Sequence, residues 1–375
     1  MNTDILTSTV PLVGLRLGAS MIFVVAFVAF LLGTGVRQRM RRRSGKRVLM
    51  LGTKPLARCI IDEIGRRRDL GWAVVGVVDD VDKLALALDA TRPDRIVVGL
   101  PANVRLPFAL LLEARARGIH VDGAVETFER LTGKLALEAL PAGSIVYSDD
   151  FRPRRRHLVL TRILSLTLAT LGLLLCLPLL AVIAVAIKLD SRGPVFFVQE
   201  RVGRRGRTFR LIKFRTMHPV DGAHSEWERD NSDRITSLGK WLRRYRLDEL
   251  PQLLNVLLGQ MNLVGPRPHP VTNLAELARA ARGLHEQAIP YYSMRCAVPP
   301  GITGWAQVRY RYANSLEEEM EKVRYDLYYV KHMSVWLDIH ILFETVIAVL
   351  TGRGVARPTA VGASGDAAVG GLEAA

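Results

Sequence analysis

Residues 163–187 read ILSLTLATLGLLLCLPLLAVIAVAI, 25 residues without a charge. At 1.5 Å per residue such a helix extends about 38 Å, enough to cross a hydrocarbon core of about 30 Å. Its surroundings argue against a simple crossing. Arg152, Arg154, Arg155, Arg156 and Arg162 precede the run, and Lys188, Arg192, Arg201, Arg204 and Arg205 follow it. Basic flanks are retained on the cytoplasmic side of a bilayer, so a crossing would carry one cluster to the wrong face. Pro178 stands near the middle, where it deletes an intrahelical hydrogen bond and crowds the carbonyl of Leu174. A helix that enters the membrane, breaks at Pro178 and returns to the same face reconciles length with charge. Ser165, Thr167 and Thr170 are placed to satisfy backbone groups freed by such a bend. A plain transmembrane helix is the competing reading.

Working outward, a second apolar run from Leu17 to Val36 holds 20 uncharged residues, followed by seven basic side chains within residues 37–47. The basic cluster lies after the run and no small-residue cleavage site is evident, so a secretory signal is a poor fit. The run reads as one spanning anchor with the N-terminus outside. The whole chain of 375 residues has room for two to three domains. With 49% hydrophobic and 23% charged residues, wholesale disorder is excluded. The net charge of +16 favours anionic partners. Cys59, Cys176 and Cys296 are far apart and form no CxxC or Cys/His cluster, so neither a disulfide scaffold nor a thiolate zinc site is expected.

Residues 46–150 alternate apolar strands and helices. Arg47–Leu51, Trp72–Val78 and Arg95–Gly99 read as strands, with a fourth starting at Ile119. Helices follow from Pro55 to about Arg67 and from Pro107 to Arg117. This alternation predicts a parallel doubly wound sheet, hence a Rossmann-like domain. The dinucleotide fingerprint is incomplete, because Gly52-Thr53-Lys54 puts a lysine where the second glycine would let backbone approach pyrophosphate. A structural or regulatory role is favoured over NAD binding, although Asp79 could serve as a ribose acid. Beyond Lys188 the pattern changes to turns and amphipathic helices. One helix is expected from Asn314 to about His332, N-capped by Asn314 or Ser315. Ser334–Leu350 reads as an amphipathic interfacial helix, with an ordinary core helix as its rival. From Val355 the Gly/Ala-rich tail is expected to be disordered.

Three stretches hold unusual chemistry: KFRTM at 213–217, RRYRLDELPQLLNVLLGQMNLVGPRP at 243–268, and PPGITGWAQV at 299–308. Asp248 and Glu249 stand before Leu250-Pro251 and an apolar helix. Acids there cap a helix and complement its dipole. Equally, adjacent carboxylates among arginines suit phosphoryl chemistry, one attacking phosphorus and the other holding a divalent metal. Arg267, between Pro266 and Pro268, is presented from a stiff backbone and suits bidentate phosphate contact. Gly301 and Gly304 would let backbone approach a ligand.

Taken together, the Pro-broken apolar run, KFRTM, LDELPQLLNVL, GPRP, PGITGWAQV and YDLYYVKHMS resemble the catalytic part of the bacterial sugar transferases, the monotopic polyprenyl-phosphate glycosyl-1-phosphate transferases. The resemblance covers about residues 155–350, and Val308-Arg309-Tyr310-Arg311-Tyr312 is most similar to the exopolysaccharide branch. It implies transfer of a sugar-1-phosphate from a UDP-sugar to undecaprenyl phosphate, with release of UMP. It implies Asp248 as nucleophile, Glu249 as the residue engaging Mg²⁺, and Lys213, Arg215, Arg243 and Arg267 as basic groups handling phosphate. The implied setting is the bacterial inner membrane, among its lipids, with the catalytic part on the cytoplasmic face; a homodimer is compatible with this.

The expected fold class is therefore α/β, with an anchor in 1–45, a Rossmann-like domain in 46–150, a mainly α membrane-embedded catalytic domain in 151–354, and a tail in 355–375. The rivals are weaker. A nucleic-acid partner is disfavoured because 21 of the 52 basic residues lie in three clusters beside apolar segments and no nucleic-acid motif is present. A membrane scaffold or polymer-length regulator would have no use for the Asp-Glu, KFR and PRP combination. A dehydrogenase lacks its glycine, and a lipid-linked transferase of another headgroup remains open.

Overall fold

The computed structural model describes residues 45–53, 55–101, 103–140, 147–219, 233–271, 293–310 and 316–351. The anchor expected at 17–36, its basic flank up to residue 44, the Asn314/Ser315 cap and the tail from Val355 lie outside them. The chain divides into two compact units, up to Thr132 and from Gly133.

The first unit carries β1 (Lys46–Leu51), α1 (Pro55–Arg66), β2 (Trp72–Val78), α2 (Leu84–Thr91), β3 (Arg95–Val98), α3 (Phe108–Ala116), β4 (His120–Gly123) and α4 (Ala124–Thr132). All four strands are parallel, in the order β2-β1-β3-β4. Strand β1 is central, and Val48 to Leu51 are all fully buried. That explains its unbroken apolar run, since a strand covered on both faces has no polar alternation. Helices α2 and α4 were not foreseen. Gly52 has φ +110°, and a Cβ there would lie 2.5 Å from the Gly99 carbonyl oxygen. Close approach of two strand ends accounts for this glycine without a pyrophosphate.

In the second unit, α5 (Arg155–Asp190) contains Pro178 and continues through it without interruption. The expected break is thus absent. A proline removes one hydrogen bond, and such a loss kinks a long helix rather than ending it when both halves are held by packing. Both halves are held. Ala169 clusters with Leu211, Leu253, Val256 and Met261, while Ile183 and Ile187 cluster with Phe214 and Leu242. The helix is long and apolar enough to cross a membrane, and only 11% of its apolar window is buried, unlike the core helix of a water-soluble domain. Ser165 and Thr170 bond elsewhere than at the Leu174 carbonyl that Pro178 crowds. Ser165 Oγ accepts from the Leu263 N–H at 3.1 Å, and Thr170 Oγ1 donates to the Leu166 carbonyl at 2.9 Å.

The remaining elements are a two-stranded antiparallel ribbon, β5 (Phe196–Val202) with β6 (Thr208–Phe214), then α6 (Ser237–Arg244), α7 (Gln252–Leu257), and the parallel pair β7 (Asn262–Val264) and β8 (Gly301–Thr303). After them come α8 (Trp305–Arg309), α9 (Leu316–Lys331) and α10 (Val335–Thr351). On α10, Trp336, Phe343, Val346, Ile347 and Leu350 are exposed while Asp338 and Ile341 are buried. That apolar outer side fits the interfacial expectation better than a core helix.

Two contacts fix α7, one to α5 and one to the ribbon. Arg162, near the head of α5, donates to the carbonyls of Val256 at 2.8 Å and Met261 at 2.9 Å. Asn255, fully buried on α7, closes the free edge of β6: its Oδ1 accepts from the Ile212 N–H at 3.1 Å and its Nδ2 donates to the Arg210 carbonyl at 2.7 Å. Asn255→Ala is expected to cost about 1–3 kcal/mol for each backbone group left unpaired. Denaturant unfolding would measure it, and a loss below about 0.5 kcal/mol, as for an ordinary surface change, would show that the amide does not hold this edge.

Candidate active site

Asp248 and Glu249 lie in a single 3₁₀ turn, Leu247–Glu249, between α6 and α7. Both are buried, at 9% and 7% exposure. Neither caps α7, whose N-cap position is Pro251 and carries no side-chain cap. The helix has only six residues, so the carboxylates have another purpose than completing it.

Their environments differ sharply. Glu249 is clamped: Arg246 Nη2 donates to Oε2 at 2.9 Å and Arg267 Nη1 to Oε1 at 3.3 Å. Burial alone would raise its pKa, but Arg246, Arg267 and Lys213 hold it well below the usual carboxylate range. Asp248 makes no hydrogen bond or ion pair among the described residues. Burial, then the neighbouring Glu249 charge, push its pKa above the ordinary value against the pull of Lys213, Arg243 and Arg246. One carboxylate is fixed and fully charged, the other unengaged and more basic. Such a split between adjacent acids assigns them different tasks.

Four cationic side chains face this pair. Lys213 comes from β6, and burial followed by the Arg267 charge lowers its pKa to about 8. Arg243 lies in the last turn of α6, its Nε donating to Thr216 Oγ1 at 2.9 Å. Arg267 projects from the Pro-Arg-Pro turn after β7. Arg246 was not singled out from the sequence. Its backbone is left-handed, with φ 54°, and its guanidinium also donates to Gln307 Oε1 at 2.9 Å. Gln307 lies in PGITGWAQV, so Arg246 joins the two longest motifs. The only sequence signal for it was its place two residues before Asp248.

Arg215 is placed elsewhere. Its guanidinium donates to the carbonyls of Arg192 at 2.9 Å and Ser191 at 2.7 Å, closing the C-terminal end of α5. The structure thus brings Lys213, Arg243, Arg267, Asp248 and Glu249 together, and spends the Arg215 fork on the backbone.

The motif glycines are explained by each other. A Cβ on Gly301 would stand 2.1 Å from the Gly265 nitrogen, and one on Gly304 2.1 Å from the Gly265 oxygen. The approach they permit is between GPRP and PGITG, not to a ligand, and it fixes the base of the Arg267 turn. Behind that turn, Arg295 donates to the Arg267 carbonyl at 2.9 Å and to Asp326 at 2.5 Å, with the Arg295 and Asp326 side chains both nearly inaccessible. Sequence reasoning missed this support, although Asp326 lies within YDLYYVKHMS.

The arrangement offers an unengaged carboxylate beside an excess of cationic donors, a combination suited to a diphosphate. Among the described residues no three His, Cys, Asp or Glu side chains cluster into a protein-only metal cage. A two-carboxylate site still fits Mg²⁺, which takes one or two carboxylates and draws its other ligands from substrate phosphates and water. Each Glu249 oxygen has one guanidinium partner and keeps a further lone pair.

Comparison with known proteins agrees with this chemistry. The sequence model of the bacterial sugar transferase family matches residues 156–352, more than half of the chain. An Aeromonas hydrophila protein named UDP-N-acetylgalactosamine-undecaprenyl-phosphate N-acetylgalactosaminephosphotransferase is 39% identical over 60% of this chain and 51% of its own. An undecaprenyl-phosphate glucose phosphotransferase of Komagataeibacter xylinus is 34% identical over 86% of this chain and 63% of its own. The exopolysaccharide production protein PSS of Rhizobium leguminosarum bv. phaseoli is 41% identical over 52% of this chain and 98% of its own. The chain thus spans between half and two thirds of the first two relatives and nearly all of the third. With the family model across the whole catalytic region and the carboxylate pair at its centre, the chain belongs to the bacterial sugar transferase family.

Proposed function

We propose that this protein transfers a sugar-1-phosphate from a UDP-sugar to undecaprenyl phosphate, releasing UMP, as the initiating step of exopolysaccharide or other surface glycan synthesis. The unequal treatment of Asp248 and Glu249 carries the reading, and the names of the relatives supply donor and acceptor. An Asp248 carboxylate oxygen attacks the sugar-bearing phosphorus. A new O–P bond forms as the bond to the bridging oxygen breaks, and UMP leaves with that oxygen. The lipid phosphate oxygen then attacks the same phosphorus and returns Asp248 as carboxylate. Lys213, Arg243, Arg246 and Arg267 offset the charge that builds up during both displacements. Glu249, with Asp248 nearby, would hold Mg²⁺, which when bound neutralises diphosphate charge.

The membrane placement follows from α5. Its two halves pack against Leu211 and Phe214 of the same strand, β6, while the intervening Leu174, Leu175 and Leu177 are strongly exposed. With Arg-rich flanks at both ends, this supports a helix that is kinked but unbroken at Pro178 and keeps both flanks, and with them the active site, on the cytoplasmic face of the inner membrane. Cysteines introduced at Ala90 and Glu317 should both resist an impermeant thiol reagent in intact, outer-membrane-permeabilised cells. Labelling at 317 alone would establish a crossing instead. The first unit, with parallel order β2-β1-β3-β4, is read as Rossmann-like and structural or regulatory.

The direct test is UMP release from a panel of UDP-sugars, with undecaprenyl phosphate present or omitted and with Mg²⁺ or EDTA. Acceptor-dependent turnover that EDTA stops and Mg²⁺ restores is expected. Full activity in excess chelator would remove Glu249 from its metal role, and no release with any UDP-sugar would end the reading.

The rate should trace a bell against pH. Asp248 must be deprotonated to attack, and burial raises its pKa, so the acid limb lies above the ordinary carboxylate range. Lys213 loses its proton near pH 8 because it is buried beside Arg267, so the rate falls as pH rises through about 8. Lys213→Arg should move the alkaline limb upward, since a guanidinium stays charged. An unmoved limb would assign it to another group.

A further inference from the structure

The antiparallel ribbon pairs Phe197 of β5 directly with Lys213 of β6. Cross-strand partners project from the same face with Cβ atoms about 4.5–5.5 Å apart. An aromatic ring therefore stands beside the lysine that faces Asp248 and Glu249. Phe197 is 47% exposed, and its neighbours Phe196 and Val198 are exposed to 46% and 52%. Three consecutive large apolar residues uncovered on both faces of a ribbon are not explained by the core. On the opposite face of the ribbon Phe196 stacks on Phe214 at 5.5 Å, and Phe214 clusters with Ile183 and Ile187, so the ribbon is apolar on both sides of β5 where it adjoins α5. From there Val182, Val185 and Leu189 continue the exposed apolar surface along the helix.

A ligand that fits both features has a phosphate at one end, for Lys213, and a long apolar chain at the other. A sugar nucleotide has no such chain, and an uncharged apolar partner gains nothing from the lysine. We infer that Phe197 seats the first isoprene units of the lipid phosphate acceptor, and that the tail passes round the apolar edge of β5, over Phe196 and Val198 on its other face, toward the C-terminal half of α5. This subsite rests on the reading of Asp248 and Lys213 as the phosphate-transfer site.

The two can be tested apart, because exchange of labelled UMP into a UDP-sugar requires only the first displacement and no acceptor. In the full-length protein reconstituted in nanodiscs, Phe197→Ser should leave exchange and the KM for the UDP-sugar within twofold of the parent. The KM for undecaprenyl phosphate should rise about 10-fold, the order expected when burial of one aromatic side chain is lost. Phe197→Leu should recover most of that affinity. An unchanged acceptor KM in Phe197→Ser would show that the patch meets only bulk lipid and would overturn the subsite. A parallel fall in exchange would overturn it too, by making Phe197 part of the scaffold of the site. Failure of the parent protein to exchange UMP would instead refute the transfer reading beneath it.

Discussion

Asp248→Asn is expected to lower sugar-phosphate transfer by about 10⁴–10⁶-fold, the range seen when a covalent nucleophile is removed. The amide has nearly the same shape as the carboxylate but no charged oxygen to attack phosphorus. Folding should survive, because Asp248 makes no hydrogen bond or ion pair among the described residues. Stability even has room to rise. The folded-state pKa of Asp248 is raised by burial and by Glu249, so its charged form opposes folding at neutral pH, and that opposition grows as pH climbs from the unfolded to the folded pKa. Asn removes it. A helix cap would tolerate Asn well and keep activity. Thermal unfolding and UMP release on the same preparation separate the alternatives: an inactive variant as stable as the parent supports the nucleophile, and near-normal transfer ends it.

Arg246→Ala should be the next most damaging change, for a different reason. Arg246 bridges Glu249 and Gln307, so its loss frees the PGITGWAQV segment from the carboxylate turn and leaves Glu249 with Arg267 as its remaining ion-pair partner. Removing one member of a buried charged cluster costs about 3–5 kcal/mol, and removing a preorganised cationic donor costs about 10²–10³ in rate. Arg246 also sits at φ 54°, where any Cβ is strained by about 1–2 kcal/mol. Arg246→Gly should therefore be more stable than Arg246→Ala while equally impaired in transfer. If both variants turned over normally, the clamp on Glu249 would have no part in catalysis.

The elements legible from sequence were those with strong local signals. Strand β1 was visible because a doubly covered parallel strand is apolar throughout, and the strand-end acids and Gly52 marked its neighbours. Helix α2 reads LALALDAT, whose strict alternation imitates a strand more than a helix. The carboxylate pair and Arg267 were legible because acids and an arginine in stiff, proline-bounded turns are uncommon chemistry. Arg246 was hidden among the other arginines of RRYR, since selecting it depends on a left-handed turn and on Gln307, 61 residues away. Arg215 looked equivalent to Lys213 because residues two apart share a strand face, but it stands just past the end of β6, where its guanidinium is taken up by the Arg192 and Ser191 carbonyls, and only Lys213 meets the carboxylates. Asn255 was invisible for the same reason as Arg295: both satisfy backbone groups brought near only by the tertiary fold. Pro178 was overread, because sequence shows the lost hydrogen bond but not the packing that holds both halves of α5.

The central claim is the covalent step, and mass spectrometry of the intact protein tests it most directly. The full-length protein incubated with a UDP-sugar, without lipid acceptor, and quenched in acid should gain the mass of one sugar phosphate. Peptide mapping should place it on Asp248, and UMP should appear in proportion to modified protein. Addition of undecaprenyl phosphate before the quench should remove the adduct. Rapid transfer to the lipid with no adduct and no UMP released in the absence of acceptor would mean direct displacement, and would contradict the role assigned to Asp248.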